Sequence, residues 1–337
     1  MSLTIRDIAQ KSGVSVATVS RVINGSELVR PETKKKVLKV IKEHNYQPNM
    51  LARAFSKSKS ETIGLIVPPE THIFSDYFAE MLRGIENAAR LYNYDLLLKI
   101  STPASRDSYH QYYEMKKCDG LLLIAPVMND LGLKNLEKKD IPMVLINCVS
   151  TQISYVDVDN VDGAFKAVEH LVKRGHKRIG IINGIIEGVN AQDRYKGYQL
   201  ALMKYHIPED KELITYGKYS QQSGIDAMQK LMSLDNKPTA VFAANDLMAI
   251  GAIKVIKDAG LAVPKDIAVV GYDDLILAAI SDPPLTSIHQ PIFDVGKEAV
   301  RLLVDQMDKG QKSVQKVVLE TELVVRQSSG DDNPVRI

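Results

Sequence analysis

The sequence lacks the features of several protein classes, beginning with paired cysteines. Its 337 residues include only Cys118 and Cys148, at a spacing that suits neither a metal site nor a redox motif. This argues against a disulfide framework, and we expect two buried free thiols in a reducing cytoplasm. The amino terminus has no apolar signal-peptide stretch, and apolar runs such as 121–127 are too short to cross a bilayer. We therefore expect a cytoplasmic protein without a membrane partner.

Motifs of common enzyme classes are also missing. The sequence has no GKS or GKT phosphate loop, no GxGxxG after a strand and no histidine pair at metal-ligand spacing. Asp273 and Asp274 are adjacent carboxylates, but neighbouring residues at a strand end point apart, and spacing places no histidine or nucleophile beside them. We expect no enzymatic activity, no cofactor and no metal.

Charge is unevenly distributed along the chain. Residues 1–60 contain 12 lysines and arginines but only 4 aspartates and glutamates, which gives this segment a formal charge of +8. Because the whole chain carries +2, the remaining residues carry −6. A small basic segment joined to a larger acidic body indicates a polyanion as the partner of the basic segment.

Residues 4–46 show apolar positions at helical spacing, which predicts three short helices. Thr4 and Asp7 form a capping pair for the first helix, Ser15 caps the second, and Pro31 fits the first turn of the third. The first two helices and the turn between them form a candidate helix-turn-helix. This motif places its second helix in the major groove of DNA.

One face of the second predicted helix carries side chains that suit a DNA groove. With Val19 and Val22 turned inward, residues on the opposite face and at its margin become candidate contacts. They are Ser15, Val16, Ala17, Ser20, Arg21 and Asn24. Arg21 can bind guanine through two hydrogen bonds, the small apolar side chains can contact thymine methyls, and the polar ones can bond phosphates or base edges. The alternative is a plain three-helix bundle whose charges are solvated.

After Thr62 the pattern changes to short apolar β-rich runs that alternate with amphipathic helical stretches. Continuous apolar strands flanked by helices indicate parallel sheets that are buried on both faces. A single sheet rarely holds about ten strands without splitting, so we expect two α/β lobes. A ligand then belongs between the lobes, at the carboxyl ends of the strands.

The segments TIRDIAQKSGVSVATVSRVING, YQPNMLARAF and TIGLIVP make the chain resemble the LacI (lactose repressor) family over its full length. The resemblance implies an α/β protein with a helix-turn-helix head, a hinge helix and a periplasmic-binding-protein-like core of two doubly wound parallel sheets joined by three crossovers. The implied limits are 1–48 for the head, 49–60 for the hinge and linker, 61–160 with 291–319 for lobe 1, 161–290 with 320–328 for lobe 2, and 329–337 for the tail.

The resemblance also implies a function and a set of DNA contacts. A transcriptional repressor of this kind binds a pseudo-palindromic double-stranded operator as a homodimer, and a small effector in the core controls its operator affinity. The family's base contacts fall on Val16, Ala17 and Arg21, with Ser15, Thr18 and Asn24 beside them. The position of the minor-groove wedge in the hinge falls on Phe55, where most relatives carry Leu. Without the resemblance, Phe55 would be read as an anchor onto the surface of the body.

The first candidate effector segment is NAQDRYKGY, in which Arg194 opens a helix. A guanidinium can bind two hydroxyls or an anionic group in one plane, and the family's ligand-binding arginine falls on Arg194. The alternative from the residues alone is that Arg194 pairs with Asp193 or another surface carboxylate. Asn190 is a weaker candidate for the same pocket.

Two strand ends supply further candidates. Asn245 and Asp246 follow the run TAVFA, and Asp273 ends the run VVGYD. We expect Asp246 to cap the next helix, while the resemblance favours Asn245 and Asp273 as ligand contacts. The resemblance places Phe74, Tyr77 and Phe78 on the apolar wall of lobe 1, with core packing as the alternative. Because a sugar hydroxyl both donates and accepts, a sugar or sugar derivative suits this mixture of side chains.

A second functional interpretation comes from YSQQSGIDAM, KPTAVF and ATVSRVING, which resemble catabolite-control members of the family. Those regulators use a phosphorylated carrier protein as corepressor, which docks on the outer face of lobe 1, and Arg301 lies in the corresponding region. The sequence leaves open whether an effector induces or corepresses. The carboxyl-terminal segment has no leucine heptad, which favours a dimer over a tetramer.

Overall fold

The computed structural model describes residues 3–23, 28–46, 59–68, 75–100, 109–125, 139, 141–310 and 313–330. The candidate contacts Asn24, Phe55 and Phe74 lie outside these residues, as do 49–58 of the expected hinge. The chain divides into two compact units, Met1–Glu61 and Thr62–Ile337.

The described part of the first unit contains three short helices, as the periodicity predicted. They are α1 (Ile5–Ser12), α2 (Val16–Ile23) and α3 (Pro31–Glu43). The capping pair is confirmed, because Asp7 N donates to Thr4 Oγ1 at 3.4 Å and Thr4 N donates to Asp7 Oδ2 at 2.7 Å. Gly13 ends α1 with φ of 62°, a left-handed conformation that glycine adopts without steric cost.

The three helices enclose one small apolar core. Its buried members come from all three helices, and they are Ile8, Ala9, Val19, Val22, Val37 and Val40. Val19 and Val22 of α2 point into this core, which leaves the opposite face of α2 available to solvent. The core therefore fixes the rotation of α2 about its own axis.

The second unit contains two six-stranded sheets. The first has the strand order β11-β5-β4-β3-β1-β2. Its strands are β1 (Thr62–Val67), β2 (Asp95–Ile100), β3 (Gly120–Ile124), β4 (Met143–Ile146), β5 (Ser154–Val158) and β11 (Lys316–Leu319). Its helices are α4 (Asp76–Leu91), α5 (Tyr109–Glu114) and α11 (Ile292–Lys309). All pairings in this sheet are parallel, and we call the body built on it lobe 1.

The second sheet has the equivalent order β12-β10-β9-β8-β6-β7 and carries lobe 2. Its strands are β6 (Ile179–Asn183), β7 (Ile214–Tyr216), β8 (Ala240–Ala243), β9 (Ala268–Asp273), β10 (Thr286–His289) and β12 (Glu322–Val324). Its helices are α6 (Asn160–Lys173), α7 (Val189–Lys204), α8 (Gln221–Met232), α9 (Asp246–Asp258) and the short α10 (Ile276–Ile280). Only the β10–β12 pair is antiparallel among the described strands.

The chain passes three times between the lobes. The crossovers join β5 to α6, β10 to α11 and β11 to β12. The expected fold class, with a helix-turn-helix head and two doubly wound sheets, is confirmed. Among the described residues, no helix combines the length and apolar composition that a membrane crossing requires.

Both cysteines are buried in one apolar cluster of lobe 1, which confirms the expectation of free thiols. Burial raises the pKa of Cys118 to about 11 and that of Cys148 to about 12. At neutral pH both side chains are therefore protonated and act as small apolar groups.

Candidate functional site: the exposed face of α2 and the cleft between the lobes

The first candidate surface is the outer face of α2. The side chains of Val16, Ala17 and Arg21 are exposed, whereas Val19 and Val22 are buried in the core. Ser15 Oγ accepts a hydrogen bond from Thr18 N at 3.1 Å, which confirms its capping role, and it also bonds Thr18 Oγ1 at 2.9 Å. Ser15 and Thr18 thus build the turn that precedes the exposed face. The expected DNA contacts in the described part of the head occupy one side of α2 and its cap.

The second candidate surface lies where the parallel strands of both sheets end. Buried polar side chains stand at or just after the carboxyl ends of five strands. They are Asn147 after β4, Asp157 in β5, Asn183 in β6, Asn245 after β8 and Asp273 in β9. Carboxyl ends of neighbouring parallel strands meet at one edge of a sheet, so each lobe presents a polar edge of the kind that binds ligands.

Arg194 from α7 is the central cation of this region, and only 4% of it is exposed. Its Nε donates to Asn160 Oδ1 at 2.9 Å, and its Nη1 donates to the carbonyl oxygen of Ala244. The guanidinium carbon lies 3.7 Å from the centre of the Tyr272 ring, within the range of a cation–π contact. Among the described residues no carboxylate lies within 4 Å of this guanidinium, so the alternative of a surface ion pair with Asp193 is wrong.

Asp273 is buried near this cation and has an uncommon backbone conformation. Its φ is 109°, and the next residue, Asp274, has φ of 56°. Positive φ at residues other than glycine costs free energy, about 1–3 kcal/mol, and such residues cluster at functional sites. Gln290 Nε2 donates to Asp273 Oδ1 at 2.5 Å. Burial raises the pKa of Asp273, and the Arg194 charge opposes that rise.

The neighbouring carboxylate, Asp274, has different partners. It forms an ion pair with Arg326, with 2.7 Å between Nη2 and Oδ1, and bonds His289 through Oδ2 at 3.1 Å. The two adjacent aspartates thus bind separate sets of residues, as expected for neighbours at a strand end.

The capping role expected for Asp246 is wrong. Asn245 is the residue that caps α9, since its Oδ1 accepts from Met248 N at 2.9 Å, and its Nδ2 donates to the Tyr219 carbonyl at 3.1 Å. Asp246 is not the cap. Its carboxylate is fully buried and accepts from Leu275 N at 2.8 Å and from Ser287 Oγ at 2.5 Å. It binds the turn that follows Asp273, a long-range contact that local capping patterns do not reveal.

Besides the Asp157 carboxylate, lobe 1 contributes two neutral polar groups, Tyr77 and Asn147. Tyr77 is half-buried, and its hydroxyl oxygen accepts from Asn147 Nδ2 at 2.7 Å. Burial raises the pKa of Tyr77, the Asp273 charge raises it further, and the Arg194 charge lowers it. Phe78 is 4% exposed and belongs to the apolar core between β1, α4 and α11, which corresponds to the core-packing alternative.

Three asparagines present acceptors that no protein group uses. The Oδ1 atoms of Asn147, Asn183 and Asn190 are buried and have no hydrogen-bond partner in the described structure. Burying an unpaired acceptor costs about 1–3 kcal/mol, so a ligand hydroxyl or a water that bonds one of these atoms would remove that cost. Asn190 is among the residues predicted from the sequence, whereas Asn147 and Asn183 are not.

The missed residues share a recognisable pattern. Asn147 follows the apolar run MVLI, Asn183 ends IGII, and Asp157 sits in the mixed strand SYVDV. A single polar residue at the end of an apolar run is the available signal for Asn147 and Asn183. Asp157 and Gln290 gave no such signal. Asp157 lies in β5 and Gln290 follows β10, and the apolar pattern did not predict either strand.

Comparison with known proteins follows the same division of the chain. Residues 4–49 match the family described as "Bacterial regulatory proteins, lacI family", and residues 168–329 match a "Periplasmic binding protein-like domain". Catabolite control protein A of Priestia megaterium is 38% identical over 334 residues, which cover 98% of this chain and 100% of that protein.

Solved structures of similar proteins cover nearly the whole chain. A complex of the transcriptional regulator CelR with cellobiose has a TM-score of 0.76 at 34% identity and covers 97% of this chain and 99% of that one. The lac repressor dimer bound to operator and the anti-inducer ONPF has a TM-score of 0.89 at 28% identity. The match covers 98% of this chain and 99% of that one. With the exposed face of α2 and the two-lobed core, these matches show that the chain belongs to the lacI family of bacterial regulatory proteins and is a DNA-binding transcriptional regulator.

Proposed function

We propose that this protein is a cytoplasmic transcriptional repressor, without enzymatic activity, whose operator affinity is controlled by a sugar bound between the two lobes. The observation that carries the proposal is the set of buried polar groups around Arg194 and Asp273, which includes three unpaired asparagine oxygens. The domain limits stated from the sequence are part of this proposal. So are the effector contacts Tyr77, Asn190, Arg194, Asn245 and Asp273.

A sugar fits the chemistry of this cleft. The asparagine oxygens and the Asp273 carboxylate accept hydrogen bonds, while Arg194 donates them, and each sugar hydroxyl can do both. Tyr272 adds a buried aromatic ring beside Arg194, since the guanidinium carbon lies 3.7 Å from the centre of that ring. The similar regulator CelR was solved as a cellobiose complex, which supports the same ligand class here.

For the DNA interface we propose the exposed residues of α2, with Arg21 as the main base-reading side chain. A single head of this size reads few base pairs, so a homodimer on a pseudo-palindromic operator is part of the proposal. Two exposed apolar patches suit a second copy of the body. One is Leu98 and Ile100 on the edge strand β2, and the other is Ile276 and Ile280 on α10.

Arg21→Ala tests the DNA part of the proposal. We expect a loss of about 1–3 kcal/mol at one base step, together with relaxed specificity at that step, because a bidentate contact to guanine is removed. The measurement is binding to a selected operator and to variants of it at fixed salt. An equal loss on every sequence would assign Arg21 to phosphate contacts instead.

The effector part is tested by thermal shift of the purified protein with sugars, sugar phosphates, polyols and nucleobases. Saturation at about 100 times Kd should add about 2.7 kcal/mol to the free energy of unfolding, which moves Tm measurably. A stabilising sugar is then added to the operator complex, and its effect on DNA affinity gives the sign of the coupling. Silence across the panel contradicts the sugar proposal.

The second candidate function is that of a regulator whose corepressor is a phosphorylated carrier protein. The 38% identity to a catabolite control protein supports it. It would use Arg301 on α11. In the structure Arg301 Nε donates to Glu298 at 2.7 Å and Nη1 donates to Asp305 at 3.1 Å. Two carboxylates of its own helix already bind this guanidinium and offset its positive charge, which weakens its attraction for a phosphate. The sugar proposal is therefore favoured.

A further inference from the structure

Asn160 lies at the first crossover between the lobes, where β5 of lobe 1 gives way to α6 of lobe 2, and only 2% of it is exposed. Its Nδ2 donates to Asp157 Oδ1 at 3.1 Å and to the Val158 carbonyl at 3.2 Å. Its Oδ1 accepts from Arg194 Nε at 2.9 Å. The amide thus stands between a buried carboxylate of lobe 1 and the buried guanidinium of lobe 2.

The orientation of this amide is fixed by its partners. Asp157 Oδ1 and the Val158 carbonyl can only accept, and the guanidinium can only donate. Turning the amide end for end would place a donor against a donor at Arg194 and an acceptor against two acceptors on the other side. The Asn160 amide therefore bridges the Asp157 carboxylate and the Arg194 guanidinium by hydrogen bonds and keeps them from direct contact.

Without this amide the two charges would attract each other directly. Asp157 Oδ1 accepts from Val158 N and from Asn160, and its pKa is raised by burial and lowered by the Arg194 charge. Opposite charges in a poorly solvated interior interact far more strongly than in water. An ion pair between Arg194 and Asp157 would turn the guanidinium toward lobe 1 and away from Asp273.

We propose that Asn160 is a positioning residue for the effector site, which holds the Arg194 guanidinium toward the cleft and keeps it apart from Asp157. The proposal rests on the proposed function in one respect, that Arg194 binds the effector. It adds a residue at the crossover that determines whether Arg194 can do so. Arg194 bonds Asn160, and Asn160 bonds Asp157 in β5, so hydrogen bonds connect the proposed effector site to lobe 1.

The test uses the full-length protein and cellobiose as the probe. Asn160→Ala should raise the Kd for cellobiose about tenfold or more, because a charge-assisted hydrogen bond is lost and the guanidinium is misplaced. The double variant Asp157→Asn/Asn160→Ala should recover much of that loss, since the competing carboxylate is gone. Recovery by a second substitution is a result that a merely structural role of Asn160 does not produce.

Thr215→Val provides a matched control, because it removes another buried hydrogen bond of lobe 2, from Thr215 Oγ1 to the Ile181 carbonyl at 3.0 Å. This variant should lower Tm and leave the Kd for cellobiose unchanged. If Asn160→Ala binds cellobiose as the wild type does, or if the Asp157 replacement recovers nothing, the proposal is overturned. Asn160→Ser, which keeps a donor for Asp157, serves if the alanine variant does not fold.

A ligand-free measurement separates this proposal from the proposed function. In the crystal structure of Asn160→Ala without ligand, we expect the Arg194 guanidinium to form an ion pair with Asp157. A guanidinium that stays in its wild-type position overturns the positioning role, whatever cellobiose does. If the guanidinium moves but wild-type protein binds no sugar of the panel, the positioning role stands and the sugar effector is contradicted.

Discussion

The two lobes of the core have equivalent strand orders, yet they contribute different chemistry to the cleft. Lobe 2 supplies Arg194 and Asp273, which are held in place by hydrogen bonds to Ala244 and Gln290. Lobe 1 contributes the neutral pair Tyr77 and Asn147, and also the Asp157 carboxylate, which Asn160 separates from Arg194. From this comparison we expect lobe 2 to contribute more than lobe 1 to the choice of ligand.

Two apolar side chains of lobe 2 are buried in lobe 1. Val189, at the start of α7, is buried in a cluster that otherwise belongs to β3, β4 and neighbouring parts of lobe 1. Leu275, two residues after Asp273, is buried in the opposite cluster of lobe 1 beside Phe78. The segments that carry Arg194 and Asp273 therefore each insert one side chain into lobe 1, so a ligand that shifts either segment also shifts a contact between the lobes.

The largest effect that would sharpen this comparison is expected for Arg194→Ala. Effector binding should fall by about 2–5 kcal/mol, since a buried hydrogen-bonding cation is removed from the lobe expected to contribute more to ligand choice. Operator binding without ligand should remain. Isothermal titration with the stabilising sugar and operator binding of the same preparation measure both. If the two functions are lost together, Arg194 has a structural role and the comparison fails.

The next largest effect is expected for Leu275→Ala. Removing this buried side chain should lower the free energy of unfolding by about 2–4 kcal/mol, because a cavity opens where lobe 2 enters the core of lobe 1. Urea denaturation measures the change. Leu277→Ala, on α10 and 36% exposed, is the matched control and should cost less than about 1 kcal/mol. Equal costs for the two variants would contradict the inserted position of Leu275.

The sequence allowed much of this architecture to be predicted, and the gaps have physical causes. Strands with continuous apolar runs, such as β1, β3 and β9, were recognised from their composition alone. The strands β5, β10, β11 and β12 were not, because they are short or mixed in polarity. In β10, for example, Thr286 Oγ1 is buried and satisfied by Arg326, 40 residues away. Such distant partners leave no local pattern.

The same limit applies to the cleft. Arg194 and Asp273 could be selected because the family resemblance pointed to them, and both are buried. The function of Asp246 could not be predicted, since its partners Leu275 and Ser287 come from a later strand and turn. Asn160 was missed for the same reason, as its contacts join two lobes.

A smaller effect, on stability, is expected for Asp157→Asn. Burial raises the pKa of Asp157 from 3.8 to about 6, so ionising this carboxylate costs more free energy in the folded state than in the unfolded chain. The cost is absent below about pH 4, grows between about pH 4 and 6, and is constant above. The asparagine variant should therefore gain up to about 3 kcal/mol at pH 7.5 and nothing at pH 4. Chemical denaturation at the two pH values checks this, and a gain of equal size at both would refute it.

The smallest effect is expected for Tyr77→Phe, in lobe 1. The Asn147 amide loses its hydroxyl acceptor but keeps its place, so effector affinity should fall by only about 1 kcal/mol, or roughly fivefold. Titration with the same sugar measures this, and Tyr92→Phe on the exposed end of α4 should change nothing. A loss as large as that of Arg194→Ala would mean that lobe 1 selects the ligand as strongly as lobe 2. The asymmetry between the lobes would then lie only in their charge.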